Sequence, residues 1–292
     1  MYNYILLKAY AKINLFLEII KKRDDGFHDI FTIMQSVSLA DRIGLTKNDD
    51  QYISIKSNNI LIPLDESNIA FKAAKAFYSY TGIKGGIEIY LEKNIPTEAG
   101  MAGGSADGAA VIVGLSELYG ISLSQNELIE IASTIGSDVP FCLFGGTYSA
   151  QGRGEVLQKM KDIEPFSMVI IKPLFSISTG WAYQQYAHYS TPPESADRII
   201  DRIGNPLTRN ASLYNVFEEL CSGSYQEINS IKAECLTLGA DAVMMTGSGS
   251  AFFALSKEKN ILHKIAEYFD KKGYFATLCQ TVPHGIEVLE RK

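Results

Sequence analysis

Residues 95–108 read Ile95-Pro96-Thr97-Glu98-Ala99-Gly100-Met101-Ala102-Gly103-Gly104-Ser105-Ala106-Asp107-Gly108. The stretch follows an alternating strand pattern (Ile87, Ile89, Leu91) and opens a helical run that Gly120 can close. Strand, glycine turn and helix in that order can make an anion cradle. Glycines let the backbone approach a ligand closely and take φ > 0, and N–H groups at the positive end of the helix then face the charge. No Lys-Ser/Thr follows the glycines as a P-loop needs, and the spacing is not that of a GxGxxG dinucleotide turn. A GxSxG nucleophile elbow also fails, because Gly103-Gly104-Ser105-Ala106 ends in Asp107 where the motif needs a glycine. The competing reading is a plain strand-to-helix turn packed on a neighbour.

Upstream, the chain reads mainly as strands, at residues 4–9, 13–20, 30–38, 42–46 and 52–57. Arg23-Asp24-Asp25-Gly26 supplies strong turn chemistry between the second and third. A helix is predicted over 69–80, with capping oxygens in Asp65-Glu66-Ser67-Asn68 and a stop at Gly82. Downstream, the helix from the glycine turn runs to Leu118, and another starts at Ser124 with Glu127 in capping-box position. Ser137-Asp138-Val139-Pro140-Phe141 reads as a loop or one short turn, and short strands at 147–150 and 155–157 flank Gly152-Arg153-Gly154. A domain change is expected near residues 162–165. Beyond it come a strand at 166–171, helices around 181–188, 213–220 and 224–238, strands at 242–246 and 251–255, a helix at 257–272 and a strand at 274–281. The expected class is α+β in two domains, 1–163 and 164–292, the second plausible as a split βαβ.

Composition narrows the function. In 292 residues, 46% hydrophobic and 21% charged content is that of a globular chain and not a disordered one. Lys and Arg total 27 against 33 Asp and Glu, a net charge of −6, so nothing favours nucleic acid or an anionic membrane as partner. An anionic small molecule must then be held locally, by backbone amides and a few cations. Cys142, Cys221, Cys235 and Cys279 form no CxxC pair, which fits reduced thiols better than disulfides or zinc. Lys8 and Lys12 interrupt the N-terminal apolar run, so no secretory signal is expected, and no run approaches the ~18 apolar residues of a membrane span. A cytoplasmic location is expected, and no feature sets an oligomeric state.

Four further segments carry candidate chemistry. Asp138, after a helix stop and before Pro140, could accept a proton from a hydroxyl, or could simply cap the turn. Lys12 lies within the apolar run Ala11-Lys12-Ile13-Asn14-Leu15-Phe16-Leu17; it is either a snorkelling edge residue or a cation aimed into a site, and Asn14 shares its face. Gly26-Phe27-His28 could stack on a base and bond to its edge, or could staple a loop to the core. Thr246-Gly247-Ser248-Gly249-Ser250 permits close backbone approach, or is an ordinary hairpin turn.

Taken in order, residues 11–17, 96–106, 136–141 and 245–251 resemble the motifs of the GHMP kinase superfamily, over about residues 8–282. Asp25-Gly26-Phe27-His28, Gly136-Ser137-Asp138-Val139-Pro140-Phe141 and Gly152-Arg153-Gly154-Glu155 look most like its members that act on 4-diphosphocytidyl-2-C-methyl-D-erythritol. The resemblance implies a ribosomal-protein-S5-like N-terminal domain, a ferredoxin-like C-terminal domain and a site between them. It implies ATP-dependent phosphorylation of the acceptor's 2-hydroxyl in non-mevalonate isoprenoid synthesis. Asp138 then matches the base and Lys12 its partner, residues 96–106 match the ATP loop, and Phe27 and His28 match the cytidine-reading pair, with Asn14, Gly247 and Ser248 on the substrate side. Mg2+ is implied as the counter-ion of ATP, with its ligands unassigned. The same superfamily motifs would also serve a homoserine or mevalonate-type kinase, or a nucleotide-binding module without catalysis. The chain departs from the pattern in having Phe27 where Tyr is usual, and Ser105-Ala106-Asp107-Gly108 where Ser-Ser-Asp-Ala is usual. It also has Leu213-Tyr214-Asn215-Val216-Phe217-Glu218, which leaves Leu213 or Tyr214 as the second face of a cytosine sandwich.

Overall fold

The computed structural model describes residues 2–48, 50–161, 163–186 and 213–292. The chain begins as a long antiparallel hairpin, β1 (Tyr4–Lys22) and β2 (His28–Asn48), around the predicted turn. The four short strands expected there are therefore two long ones. β-Bulges between Tyr10 and Ala11, Asn14 and Phe16, and Ile19 and Lys21 absorb the irregularities that looked like breaks. Burial alternates over residues 4–8 and is then continuous over 9–19, because the second part of β1 is covered on both faces.

The first sheet adds β3 (Ile53–Ser57) and β4 (Gly86–Glu92) in the order β12-β1-β2-β4-β3, with β5 (Thr147–Gln151) on β2 and β6 (Val156–Lys159) on β5. Its last member, β12 (Ile286–Arg291), was not expected. It pairs antiparallel with β1, so the C-terminal end of the chain returns to the N-terminal sheet and the division at 163/164 is not a clean one. Four helices pack here: α1 (Ile69–Thr81), α2 (Gly103–Tyr119), α3 (Gln125–Ser133) and the short α4 (Val139–Phe144), where a loop or turn was expected. Caps explain the predicted boundaries. Asn68 Oδ1 accepts from Ala70 N at 2.8 Å, Gly82 ends α1 at φ +71°, and Ser124 and Glu127 form the full capping box. At Gly108 a Cβ would meet Ile69 Cγ2 at 2.8 Å, so the unexpected glycine lets α2 close on the start of α1.

The second sheet has β7 (Ser167–Lys172), β9 (Ala242–Met245), β10 (Phe252–Leu255) and β11 (Phe275–Gln280) in the order β11-β7-β10-β9, the 4-1-3-2 order of a split βαβ. Helices α5 (Thr179–Gln184), α6 (Val216–Ser222), α7 (Glu227–Leu238) and α8 (Lys259–Lys271) accompany it. The helix expected at 181–188 runs from Thr179 to Gln184, and positions 187 and 188 of that expectation lie outside the described residues. Residue 162, within the expected domain change, is also outside them. In place of a helix from 213, Tyr214–Asn215 form β8, parallel to β1. Asn215 then caps α6 by accepting from Phe217 N at 3.0 Å.

Three apolar clusters follow from this layering. One lies between the first sheet and α1–α4, and one joins Leu17, Ile19 and Ile30 of the first hairpin to the C-terminal half, including Val169, Ile171 and Phe269. The third joins the two sheets: Ala11, Ile13 and Leu15 of β1 meet Met168 and Ile170 of β7 and Phe253 of β10. All four cysteines are buried and unpaired. No helix among the described residues is long and apolar enough to cross a membrane.

Candidate active site

A cleft of about 1290 Å³ opens where β1, the glycine loop, the start of α4 and the 246–250 turn converge. A single small-ligand pocket typically measures ~300–1,000 Å³, so this one has room for two substrates.

The glycine loop enters with unusual backbone geometry. Glu98 (φ +51°), Gly100 (φ +72°) and Ala102 (φ +57°) are left-handed, and strain of this kind must be held in place by its surroundings. Three backbone bonds do so: Lys12 N to Met101 O at 3.1 Å, Ser250 N to Glu98 O at 3.3 Å, and Ala251 N to Ala99 O at 3.2 Å. Gly100 lies so close to the 246–249 turn that a Cβ would run into the Thr246 carbonyl. Ala102 occupies the N-cap of α2 and has no side chain to bond the first-turn amides, in contrast to Asn68 and Ser124 on α1 and α3. The positive end of α2 is thus uncapped by side chains, and it borders the cleft. Pro96, Thr97, Glu98, Ala99, Gly100, Met101, Ala102, Gly103, Gly104 and Ser105 all line it. Ala106 does not; the helical turn points it into the core beneath α2, where it is fully buried.

At the floor, Lys12 Nζ lies 3.6 Å from Asp138 Oδ2 and donates to Asn14 Oδ1 at 2.8 Å and to the Gly100 carbonyl at 3.0 Å. Asn14 Nδ2 donates to Thr32 Oγ1 at 2.7 Å, so the asparagine amide is committed to holding Lys12. Asp138 stands at the N-cap of α4 yet makes no side-chain capping bond. Its carboxylate is therefore not consumed by the helix, which removes the capping explanation left open by the sequence.

The other end of the cleft carries the aromatic pair. Phe27 is 54% exposed, with the Arg153 guanidinium 5.0 Å from its ring centre. His28 stacks on Tyr183 at 5.0 Å and meets Tyr186 edge-on at 5.7 Å. Burial, aided by nearby Lys22, holds the His28 imidazole below its ordinary pKa, and its Nε2 finds no hydrogen-bond partner among the described residues. Neither Leu213 nor Tyr214 reaches this wall. The strand pairing of β8 with β1 turns the Tyr214 ring onto Phe16 at 5.5 Å, and Leu213 packs into the inter-sheet cluster. The aromatic opposite His28 is Tyr183, which the sequence reading passed over because it reads as one more residue on an amphipathic helix. Gly247 and Ser248 line the cleft; Asn215 Nδ2 donates to the Gly247 carbonyl at 2.8 Å, and Ser248 Oγ shares a 2.8 Å bond with Thr179 Oγ1.

A buried charge cluster, Asp41, Lys93 and Asp107, lies beneath the loop and was also missed. Each residue taken singly looks like surface charge, and only the fold brings them together.

Residues 68–146 match the family described as GHMP kinases N terminal domain, and residues 196–274 match GHMP kinases C terminal. The chain is 42% identical over 258 residues to a 4-diphosphocytidyl-2-C-methyl-D-erythritol kinase of Exiguobacterium sibiricum, covering 88% of this chain and 90% of the relative. It is 41% identical over 283 residues to the kinase of the same name from Caldicellulosiruptor saccharolyticus, covering 94% and 97%. Among solved structures, a 4-(cytidine 5'-diphospho)-2C-methyl-D-erythritol kinase superposes with a TM-score of 0.79 at 29% identity, covering 95% of this chain and 99% of the other. A homoserine kinase from Cytophaga hutchinsonii shares the fold, with a TM-score of 0.74 at 19% identity over 99% and 98% of the two chains. Similarity of this extent, running through both halves of the chain, places it among the GHMP kinases, which are ATP-dependent small-molecule kinases, and within them in the 4-diphosphocytidyl-2-C-methyl-D-erythritol kinase family.

Proposed function

We propose that the chain transfers the γ-phosphoryl group of ATP to the 2-hydroxyl of 4-diphosphocytidyl-2-C-methyl-D-erythritol, the compound for which its relatives are named. The observation that carries this reading is Asp138, a carboxylate uncommitted to its own helix and paired with Lys12 on the floor of a two-substrate cleft. In the reaction, the acceptor O–H gives its proton to Asp138 and its oxygen forms the new bond to γ-phosphorus. The bond from γ-phosphorus to the β,γ-bridging oxygen breaks, and ADP leaves. The transition state is loose, so the protein's task is to position the reactants and offset charge. Uncapped amides at the start of α2 face the phosphates, and Lys12, fixed by Asn14, faces the attacking oxygen.

Mg2+ would enter on the phosphates of ATP. When bound, it neutralises the phosphate oxygens. At the other end, Phe27 stacks on cytosine and uncharged His28 bonds to its polar edge, with Gly247 and Ser248 beside the polyol. Residues 1–163 and 164–292 each contribute a wall. The four buried, unpaired thiols support a cytoplasmic setting. Turnover of ATP measured with the cytidine acceptor, with homoserine, with mevalonate and with no acceptor tests the proposal. Turnover is expected with the first alone, and equal turnover with homoserine or mevalonate would overturn it.

A further inference from the structure

Three charges beneath the glycine loop stand apart from the Asp138–Lys12 pair, although Lys93 and Asp107 border the same cleft. Lys93 directly follows β4, at the entrance to the loop. Asp107 lies in α2, at its exit. Asp41, on β2, lies against both. Lys93 Nζ meets Asp107 Oδ2 at 2.5 Å and also pairs with Asp41 Oδ2. Asp41 Oδ1 accepts from Asn94 N at 2.5 Å and from Ile95 N at 2.8 Å, so it grips the backbone as the loop begins. No side chain of the three is more than 4% exposed, and Asp107 Oδ1 is buried with no partner among the described residues. A buried ion pair is weak evidence for stability, because desolvation offsets the attraction. Here there are also two carboxylates for one ammonium. With all three ionised, one uncompensated negative charge would sit in a dry site below the place where ATP phosphates bind.

We propose that Asp41, Lys93 and Asp107 form a brace that fixes the two ends of the ATP loop relative to each other, and that Asp107 serves in it as a neutral acid, leaving no surplus negative charge beneath the phosphates. The proposal rests on the ATP-binding reading and is independent of the acceptor's identity. All three are positioning residues, acting on ATP through the loop. The charged groups that act on Asp107 are Lys93 after β4 and Asp41 on β2; Cys142 on α4 senses Asp107 and also the Asp138–Lys12 pair. Burial, opposed by Lys93 and reinforced by Asp41, raises the Asp107 carboxyl to about 8. Burial raises the Cys142 thiol further still, so it stays uncharged over the range that matters.

The test is titration of the β,γ-imido analogue of ATP, without acceptor, into the wild type, Asp107→Asn and Asp107→Ala between pH 7 and 9. In the wild type the Kd is expected to rise about tenfold by pH 9, as an ionising group of this pKa requires if the charged form binds poorly. Asp107→Asn keeps a neutral polar group of the same shape; its Kd should match the wild type at pH 7 and stay flat to pH 9. Asp107→Ala should bind the analogue several-fold more weakly at every pH while binding the cytidine acceptor unchanged. In thermal melts at pH 9, Asp107→Asn should be more stable than the wild type, whereas a purely structural ion pair predicts the reverse. A flat wild-type profile overturns the proposal, as does an equally steep rise in Asp107→Asn or equal weakening of both ligands in Asp107→Ala. A wild type that binds the analogue at no pH overturns the ATP reading and this proposal with it.

Discussion

Lys12 Nζ lies 3.6 Å from Asp138 Oδ2, with 5% of the lysine side chain exposed and 37% of the aspartate side chain. The cation is sealed beneath the carboxylate, and the carboxylate is open to the cleft. A strand buried on both faces supplies the first, and the start of a six-residue helix supplies the second. The pair can therefore receive a hydroxyl from one side only.

Asp138→Asn tests the role of the carboxylate. The amide is nearly isosteric but cannot take the proton, and loss of a general base lowers turnover by roughly 10²–10⁴-fold. Circular dichroism and the Kd for ATP should be unchanged. Near-wild-type turnover of the folded variant would remove Asp138 from the chemistry.

Gly103→Val tests the loop. A Cβ at Gly103 would already meet Ile95 Cγ2 at 3.0 Å, and a branched side chain would also crowd the amides at the start of α2. Calorimetry should show ATP binding weakened by about tenfold, or ~1.4 kcal/mol, with the acceptor little affected. Equal loss for both ligands would point to damage to the fold instead.

Phe27→Ala tests the stacking platform. An aromatic stacked on a base is worth ~1–3 kcal/mol by alanine substitution. The acceptor KM should rise roughly ten- to a hundredfold while the KM for ATP holds. Because Phe27 is exposed, the substitution should cost little stability, and a thermal melt checks that the effect is one of binding.

His28 sets a pH dependence. Its folded-state pKa lies below the ordinary value of about 6.5, chiefly through burial, so the neutral ring persists down to and below that pH. At saturating ATP the acceptor kcat/KM should be level from pH 8 to about 6.5 and fall below it as the ring charges. His28→Gln should lose that acid-side fall. The unfolded chain takes up this proton before the folded one, so stability also declines as pH drops below about 6.5. An acid-side fall that survives in His28→Gln would assign it to another group.

Much of this architecture could be read from local chemistry. Helix ends were legible where a side chain or a glycine makes them, as at Asn68, Gly82, Ser124 and Gly120. In the second half the order of the four strands of the second sheet and the helices between them was legible, although β8 and β12 were not expected. What escaped depends on partners distant in sequence. Residues 9–19 are buried on both faces, so their pattern carries no strand period, and bulges resemble breaks. β12 alternates half-buried and exposed positions on a charged sequence, and only its pairing with β1 makes it a strand. Asp41 fell between two expected strands, yet it is fully buried against Lys93 and the Asn94 and Ile95 amides. Of the candidate site residues, most line one cleft, Ala106 turns to the core, and Tyr183 was found only once the fold had set it against His28.

The most direct test of the central claim compares kcat/KM for the cytidine acceptor with that for its uridine counterpart, at saturating ATP. Stacking on Phe27 cannot separate the two bases, since both present a π-face. Discrimination must come from hydrogen bonds at the polar edge, where a mispaired buried group costs ~1–3 kcal/mol, or roughly five- to 150-fold. A cytidine preference within that range is expected, and equal kcat/KM values for the two acceptors would contradict cytosine reading by this site.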